Sequence, residues 1–535
     1  MDIISTILLY YVTATGGILL IHRYLDYPML LVTALLIYMG FTGCYGQGFL
    51  FSVDFSVRWL APLQLISLTC FLALSGEIEN NATPKKYRAR FLLRNGILNM
   101  YNIRRGISII GSAGSGKTES VVYSLLKHFH KHGFCGVIHD YKHFEITEMA
   151  YPLFKSPGIP FHIISFDDIH KRVNPIAPRY LEDEESVNEI SRVLLENLLE
   201  QKESVSTGSS KFFNDAVEGL IGGMIWKLKI AHPKYCTLPH LIALYQYLDA
   251  EALVDWLSSD FTSKAMADAF VSGIGSERQT AGVMSTLANA LKKISTKRIF
   301  MALSADEVPL DVNNPDNPSI VSVVNNPKFE TAYSPVIATI IHTITKQMSV
   351  RNRLSSFFLA EEASTFRLLN MQRIPATLRS YDILTVYVLQ DKIQNDLMYG
   401  DKTSKAILSN LSYQFFGKAN DPDTAKYYER FFEIVKRQTK SVSQSTNWNF
   451  DSRITKGEKE VSKRRSDTFF RLKRGEFISF ADGKDKRIRF EKPIIQRTLP
   501  EPVFVYDHAE ITANFNRIHL EVREMMNASF VKSRN

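Results

Sequence analysis

The strongest constraint on the fold of this chain is a glycine-rich turn between a short apolar run and a helical pattern. Residues Gly111 to Thr118 read GSAGSGKT, which fits the pattern GxxxxGK[ST]. The preceding run, Gly106 to Ile110, predicts a buried strand. Apolar residues then recur at helical spacing, at Val121, Val122, Leu125, Leu126 and Phe129. Strand, glycine-rich turn and helix in this order are typical of a loop that binds the phosphates of a nucleotide.

Each residue type in this motif has a physical role in holding phosphate. Glycines let the backbone turn tightly, so that its N–H groups can point at phosphate oxygens, and the following helix begins with the positive end of its dipole there. We expect Lys117 to reach the β- and γ-phosphates and Thr118 to offer its hydroxyl to Mg²⁺. The motif therefore predicts a site for ATP and Mg²⁺ formed by Gly111, Ser112, Ala113, Gly114, Ser115, Gly116, Lys117 and Thr118.

An acidic pair follows a second apolar run, Ser356 to Ala360. In a nucleotide site, Glu361 would hold Mg²⁺ through water, and Glu362 would polarise the water that attacks the γ-phosphate. The alternative is a pair of solvated carboxylates after a core strand, because charged side chains are mostly exposed. The phosphate-binding motif upstream favours the catalytic interpretation.

A third strand is predicted from Ile383 to Leu389, and Gln390 follows it directly. A polar residue at the carboxyl end of such a strand faces the ligand crevice of an open α/β sheet. Gln390 is therefore a candidate sensor of the γ-phosphate. A glutamine that caps a turn fits this position equally well, and the residues alone leave both interpretations open.

The N-terminal part of the chain contains three apolar runs, Ile3 to Ile21, Pro28 to Phe51 and Trp59 to Leu74. About 20 apolar residues cross the hydrocarbon core as a helix, so the first two runs are long enough and the third is marginal. A cleaved signal peptide is the alternative for the first run, but no basic segment precedes it and further apolar runs follow. Glycines in the second run leave the number of spans open between two and four.

Charge indicates how such an anchor would be oriented. Basic residues follow the third run, at Lys85, Lys86, Arg88, Arg90 and Arg94. The positive-inside rule therefore places everything after Gly76 in the cytoplasm. The net charge of +9 fits an anionic partner, either nucleic acid or a membrane surface, although solvated lysines explain it as well. The four cysteines are far apart and form no CxxC pair, which argues against a zinc site or a disulfide framework.

The soluble part predicts an α/β protein interrupted by helices. Between residues 174 and 317 the apolar residues recur at helical spacing, and a buried strand, Ser319 to Val324, then resumes the sheet. The expected organisation is a transmembrane anchor of about three helices at 1–76, an ATPase domain in two parts at 77–173 and 318–500, an all-α insertion at 174–317, and a C-terminal tail at 501–535.

An ordered series of short strings resembles a known family. The strings lie at 374–380 (IPATLRS), 386–391 (VYVLQD), 398–400 (MYG), 407–410 (ILSN) and 414–417 (QFFG). Further matches lie at 140–142 (DYK), 174–175 (NP), 471–477 (RLKRGEF) and 481–483 (ADG). Together they resemble the conjugative coupling proteins of type IV secretion systems, in particular the mobilisation-type subgroup of Bacteroidetes.

This resemblance implies a fold, a function and partners. The fold would be a RecA-like P-loop NTPase domain with an all-α insertion behind transmembrane helices, and the assembly a homo-hexamer. The chain would recruit a relaxase bound to single-stranded DNA to a type IV secretion channel and use ATP to help pump it. It would be a multi-pass protein of the bacterial inner membrane with its ATPase domain in the cytoplasm. In such rings a neighbour supplies an arginine to the site, and Arg379 is the candidate for that interface.

Two positions depart from the pattern of the resembled family. Glu361 stands where aspartate is usual, and Tyr141 stands where proline is usual. Glutamate is one methylene longer, so the geometry around a metal ion would need a small adjustment. Neither departure removes a required group by itself.

Two questions stay open at the level of the sequence. Residues 436–474 combine many basic side chains with aromatic ones, which suits a contact with single-stranded DNA, but a solvated loop between two core strands fits equally well. There are two alternatives to a coupling motor. One is a DNA translocase with another role, and the other is a docking receptor whose nucleotide site only gates assembly.

Overall fold

A mixed β-sheet forms the centre of the protein. The computed structural model describes residues 83–94, 96–155, 159–200, 208–444, 452–502 and 504–534. The strands are β1 (Ala89–Leu93), β2 (Gly96–Met100), β3 (Ile107–Ile110), β4 (Cys135–Asp140), β5 (Phe161–Ile164), β6 (Ile320–Val324), β7 (Ser356–Ala360), β8 (Ile383–Leu389), β9 (Tyr413–Phe416), β10 (Ile434–Gln444), β11 (Ser452–Ser462), β12 (Glu476–Ala481) and β13 (Lys484–Arg489).

Nine of these strands pair in the order β13-β12-β9-β3-β8-β7-β4-β6-β5. From β9 to β5 the neighbours are parallel, whereas β12 runs antiparallel to β9 and to β13. The inner strands are buried on both faces, which explains their continuous apolar runs. The α/β fold predicted from the sequence is confirmed, with a mixed rather than an all-parallel sheet. The sheet matters for function because all its parallel strands end at one edge.

Helices cover both faces of this sheet. The α-helices that the structure describes, on the sheet and beyond it, are α1 (Tyr123–Lys131), α2 (Glu145–Phe154), α3 (Glu184–Leu198), α4 (Gly208–Ala231), α5 (Leu238–Tyr247), α6 (Ala250–Ser258), α7 (Phe261–Met266), α8 (Asp268–Ser272), α9 (Glu277–Lys292), α10 (Lys297–Ala302), α11 (Glu330–Met348), α12 (Ile374–Arg379), α13 (Lys392–Tyr399), α14 (Asp401–Ser409), α15 (Pro422–Glu429), α16 (Ser466–Phe470) and α17 (His508–Arg534). Between β5 and β6, the regular elements that the structure describes are all helical.

Side chains alternate between the two faces of the sheet and so belong to two separate cores. On β7, Phe357 faces one core, where its ring stacks on Phe129 of α1 with 4.4 Å between centroids. Phe358, the next residue, faces the other core together with Ile337 and Ile341 of α11. The helices between β5 and β6 are called the helical segment below. The core around α11 continues into this segment through α3. The helical segment therefore shares its hydrophobic core with one face of the sheet.

The C-terminal segment, expected as a tail, contains a helix of 27 residues, α17. It packs against α5 and α10 of the helical segment. Phe515 lies against Phe300, with 4.7 Å between ring centroids, and His240 Nε2 lies 3.0 Å from Glu521 Oε2. An apolar stripe along α17, which includes Ile518 and Val522, is buried in this contact.

The anchor predicted at 1–76 lies outside the described residues. In the part of the chain that the structure describes, none of the helices is both long enough and apolar enough to traverse a membrane. The basic stretch at 436–474 includes most of β10 and β11, which pair as an antiparallel hairpin of two 11-residue strands separate from the central sheet. Its contact with DNA stays a prediction.

Candidate functional site

The glycine-rich loop begins where β3 ends, between the ends of β8 and β9. The N–H of Gly111 donates to the carbonyl of Leu389 (3.2 Å), and the N–H of Ser112 donates to the carbonyl of Lys418 (2.8 Å). Gly114 and Gly116 have φ angles of +74° and +89°, which side chains with a Cβ rarely adopt. The loop is thus held at its start by both neighbouring strands and turns at two glycines.

The first turn after the loop is wider than an α-helical turn. Thr118–Val122 form a π-helical turn, and the α-helix proper begins at Tyr123. π-Helical turns are rare in proteins overall, but those that occur are often found at functional sites. The apolar spacing predicted a helix here, but periodicity alone does not distinguish the two kinds of turn.

Lys117 folds back over the loop. Its Nζ donates to the carbonyl oxygen of Gly111 (2.5 Å), and the carbonyl of Ser112 lies 3.5 Å away. The side chain is buried, and this burial lowers the pKa of its ammonium group despite the opposing charge of Glu362. The ammonium group of Lys117 therefore lies at the centre of the loop. When a nucleotide binds, negatively charged phosphate oxygens would replace the carbonyl oxygens as its partners.

The acidic pair lies opposite the loop because β7 and β3 end at the same edge of the sheet. Glu361 is 1% exposed and Glu362 is 4% exposed. Thr118 Oγ1 donates to Glu361 Oε1 at 3.3 Å. Glu362 has a φ of +43°, and a left-handed conformation for a non-glycine residue is a strain typical of functional sites. The structure thus brings Thr118, Glu361 and Glu362 together, and the alternative of an exposed acidic pair is wrong.

Sequence reasoning assigned no role to Lys142, which lies between the two carboxylates. Its Nζ is 3.6 Å from Glu361 Oε1 and 3.6 Å from Glu362 Oε1. Burial acts to lower the pKa of Lys142, but the two carboxylates outweigh it and raise this pKa. The string DYK that contains Lys142 was a signal of its importance, since the strand before it ends at the same edge.

Burial dominates the electrostatics of the carboxyl groups. It raises the pKa of Glu361 to about 8; Asp140 adds to the shift and Lys142 opposes it. It also raises the pKa of Asp140 to about 6, although Oδ2 of Asp140 accepts bonds from the N–H groups of Ile146 (3.0 Å) and Thr147 (2.7 Å). A cation between these groups would favour their ionised forms.

The groups around the loop fit a nucleotide with Mg²⁺. Ser115 Oγ and Glu362 Oε2 are buried and have no hydrogen-bond partner among the described residues. Buried polar atoms are normally paired, so such orphans mark a place for a ligand, an ion or water. Hydroxyl and carboxylate oxygens are the donors that Mg²⁺ prefers, and the loop supplies backbone N–H groups and an ammonium for phosphate.

A cleft of about 480 Å³ opens beside the glycine-rich loop, next to Gly116 and Glu119. Arg474 donates to Glu119 Oε2 at 2.6 Å across this cleft. Its basic lining residues are Arg94, Arg474, Arg489 and Lys492. A ligand that extends past the loop therefore meets a wall with more basic than acidic side chains.

Gln390 and Arg379 lie at opposite ends of β8. Gln390 follows Leu389, whose carbonyl binds the start of the loop, so Gln390 is at the same edge of the sheet as the acidic pair. Its Oε1 accepts from Gln394 Nε2 at 3.3 Å. Arg379 ends α12, before β8 begins, and is exposed. The structure brings Gln390 to the candidate site but does not bring Arg379 to it.

Comparisons with known proteins identify the family and the fold of this chain. Residues 76–467 match the model of the family described as Type IV secretory system Conjugative DNA transfer. No curated protein matches the sequence. The fold is similar to that of the bacterial conjugative coupling protein TrwBdeltaN70 in its unbound form, with a TM-score of 0.60, 12% identity, and coverage of 79% of this chain and 93% of that one.

The plasmid coupling protein TrwB solved in complex with ADP and Mg²⁺ is similar to the same degree. Its TM-score is 0.61 at 12% identity, over 81% of this chain and 95% of that chain. TrwB solved with the non-hydrolysable GTP analogue GDPNP gives 0.60 at 12% identity, over 81% and 95%. These likenesses concern the fold, whereas the family match spans most of the sequence. The resemblance found in the sequence is confirmed: the chain belongs to the family of type IV secretory system conjugative DNA transfer proteins.

Proposed function

We propose that this chain is an ATPase that couples a relaxase and its single-stranded DNA to a type IV secretion channel during conjugative transfer. The observation that carries the proposal is the contact between Thr118 Oγ1 and Glu361 Oε1 (3.3 Å), which joins the phosphate-binding loop to the acidic pair. Family membership supports the role in DNA transfer. TrwB, which has a similar fold, was solved with ADP and Mg²⁺.

Each residue of the site has a task in this proposal. Lys117 would leave the carbonyl oxygens of the loop and bind the β- and γ-phosphates. Thr118 and Glu361 would hold Mg²⁺, which supplies positive charge to the phosphate oxygens when it is bound. Glu362 would take a proton from the attacking water, and Gln390 would contact the γ-phosphate side of the site. The cleft beside Gly116 offers room for the nucleoside.

The remaining parts of the proposal concern the location, the assembly and the partners of the chain. The apolar runs before residue 76 support a multi-pass anchor in the bacterial inner membrane, with the ATPase in the cytoplasm. A RecA-like ring of six subunits fits the fold and the position of Arg379 away from its own site. The relaxase, single-stranded DNA and the channel components are the proposed partners.

The test of the enzymatic proposal is hydrolysis of ATP by the purified full-length chain with and without Mg²⁺. Lys117→Ala should abolish turnover, because the phosphates lose their main protein cation. Lys127→Ala is the matched control, since Lys127 lies on α1 over the ring of Tyr123, away from the loop. Glu362→Gln should keep nucleotide bound and slow its cleavage. Normal turnover by Lys117→Ala would refute the assignment of this site.

Single-stranded DNA distinguishes the motor from a nucleotide-gated docking receptor. A motor should hydrolyse ATP faster when single-stranded DNA is added, at low salt where phosphate contacts are strong. A docking receptor should show the same slow turnover with and without DNA. The Glu362→Gln variant serves as the control for contaminating ATPases in both arms.

A further inference from the structure

The carboxylate of Glu361 is held from two sides. Oε1 accepts from Thr118 Oγ1 at 3.3 Å, and Oε2 accepts from the backbone N–H of Tyr141 at 3.3 Å. Tyr141 follows β4, and Glu361 follows the adjacent strand β7, so the sheet sets the distance between them. The orientation of Glu361 thus depends on an amide that comes from a different strand.

The side chain of Tyr141 connects the same point to the helical part of the protein. Its hydroxyl donates to Glu330 Oε2 at 2.8 Å, and Glu330 is the first residue of α11. Helix α11 packs along α3 of the helical segment. Tyr141 and Glu330 also line a cleft of about 810 Å³ that reaches Asn197, at the end of α3. The side chain of Tyr141 thus contacts the helical part of the protein, whereas its backbone N–H contacts Glu361 in the nucleotide site.

We propose that Tyr141 is the positioning residue for Glu361, and that its backbone N–H sets the carboxylate of Glu361 in place for Mg²⁺. This inference rests on the proposed function, because it assigns a task within the same site. Carboxylates that serve a metal ion are themselves usually hydrogen-bonded, and these hydrogen bonds orient them. No other donor to Glu361 Oε2 is found among the described residues.

The length of the Glu361 side chain makes the arrangement work. An aspartate at this position would be one methylene shorter. With the backbone of β7 in the same place, its carboxylate could not contact both Thr118 Oγ1 and the Tyr141 N–H. A proline at position 141 has no N–H and would leave Oε2 buried without a donor. These are the two positions at which the sequence departs from the resembled family, and the structure places them in direct contact.

The test compares Tyr141→Pro with Tyr141→Ala in the full-length chain. Both variants lose the ring and the hydroxyl, but only the alanine keeps the N–H. Binding of a fluorescent ATP analogue is measured against Mg²⁺ concentration, so that no turnover is needed. Tyr141→Pro should require roughly 10- to 100-fold more Mg²⁺ for half-maximal enhancement of binding, as expected for loss of a group that orients a metal ligand. Tyr141→Ala should respond to Mg²⁺ as the unaltered chain does.

Glu361→Asp provides a second route if Tyr141→Pro does not fold, as judged by thermal unfolding. It should weaken the response to Mg²⁺, because the shorter carboxylate cannot reach Thr118 Oγ1 and the Tyr141 N–H together. An equal response of the proline and alanine variants, or an unchanged response of Glu361→Asp, would overturn the inference while leaving the proposed function intact. Absence of Mg²⁺-enhanced binding in the unaltered chain would overturn the proposed function and this inference with it.

Discussion

The backbone N–H of Gly475 donates to the carbonyl oxygen of Ser115 at 2.9 Å, which ties the start of the β12–β13 hairpin to the phosphate-binding loop. Gly475 lies directly before β12, and a Cβ built on Gly116 would come within 3.0 Å of the Gly475 nitrogen. The shape of the loop therefore depends on residues more than three hundred positions away in the sequence. This contact also closes one side of the cleft beside Gly116.

The contact predicts a difference between two glycines of the loop. Gly114→Ala and Gly116→Ala both place a side chain at a positive φ, which costs about 1 kcal/mol. Only at Gly116 does the new Cβ also come unusually close to the backbone of the β12–β13 hairpin, whereas nothing lies within 4 Å of a Cβ at Gly114. Gly116→Ala should therefore lower the melting temperature more than Gly114→Ala. Unfolding measured without nucleotide isolates the effect, and equal shifts would contradict the role of the hairpin.

The missed cation Lys142 gives a prediction about catalysis. Lys142→Met keeps most of the side-chain volume but removes the charge between Glu361 and Glu362. The buried carboxylates would then repel each other, and ATP hydrolysis should fall by roughly 10- to 100-fold. Lys127→Met is the matched control. Turnover at the normal rate in Lys142→Met would mean that a bound cation alone balances the pair.

The burial of His342 predicts that the free energy of unfolding of the protein falls in acid. Burial lowers the pKa of His342 from 6.5 to about 3. The unfolded chain therefore takes up a proton near pH 6.5, whereas the folded chain does not until about pH 3. Stability is lost as the pH falls through this interval, by at most about 1.4 kcal/mol per pH unit for one proton.

His342→Gln should remove this contribution. Between pH 6.5 and 5, its unfolding free energy should fall less steeply than that of the unaltered chain in urea titrations. From pH 7.5 to 8.5 the slopes should agree, because the histidine is neutral in both states. Parallel slopes throughout would show that the ring of His342 becomes protonated within the folded protein.

The position of Arg379 predicts that it acts on the nucleotide site of a neighbouring subunit in a ring. It is exposed at the edge of the sheet opposite the glycine-rich loop, so it cannot serve its own nucleotide site. Mixing Arg379→Ala with unaltered subunits should reduce ATP hydrolysis more than dilution explains. Arg373→Ala is the control, since Arg373 is exposed just before the same helix. A proportional loss would argue against a role between subunits.

The sequence predicts the strands of the site well because each is a continuous apolar run. The predicted strand Ile383 to Leu389 has the same bounds in the structure, and β3 and β7 differ little from their predictions. Buried parallel strands exclude charge, so a polar residue after such a run marks the edge where ligands bind. For this reason Glu361, Glu362 and Gln390 could be placed before the fold was known.

Contacts between distant segments could not be predicted in this way. The strand order that puts β12 beside β9, and so Gly475 beside Ser115, leaves no periodic pattern in the sequence. The polar composition of β10 and β11 hides the alternation of a strand, so the sequence does not distinguish this hairpin from a loop. The two departures at Tyr141 and Glu361 were visible, but their mutual contact depends on the pairing of β4 with β7.

The central claim is that ATP hydrolysis at this site drives conjugative DNA transfer. The most direct test is mating frequency from a donor that carries the complete transfer apparatus, with Lys117→Ala as the only copy of this chain. Lys127→Ala serves as the control, and equal amounts of both proteins are verified in the donor cells. We predict that transfer is abolished with Lys117→Ala and normal with Lys127→Ala. Transfer at normal frequency from the Lys117→Ala donor would contradict the account.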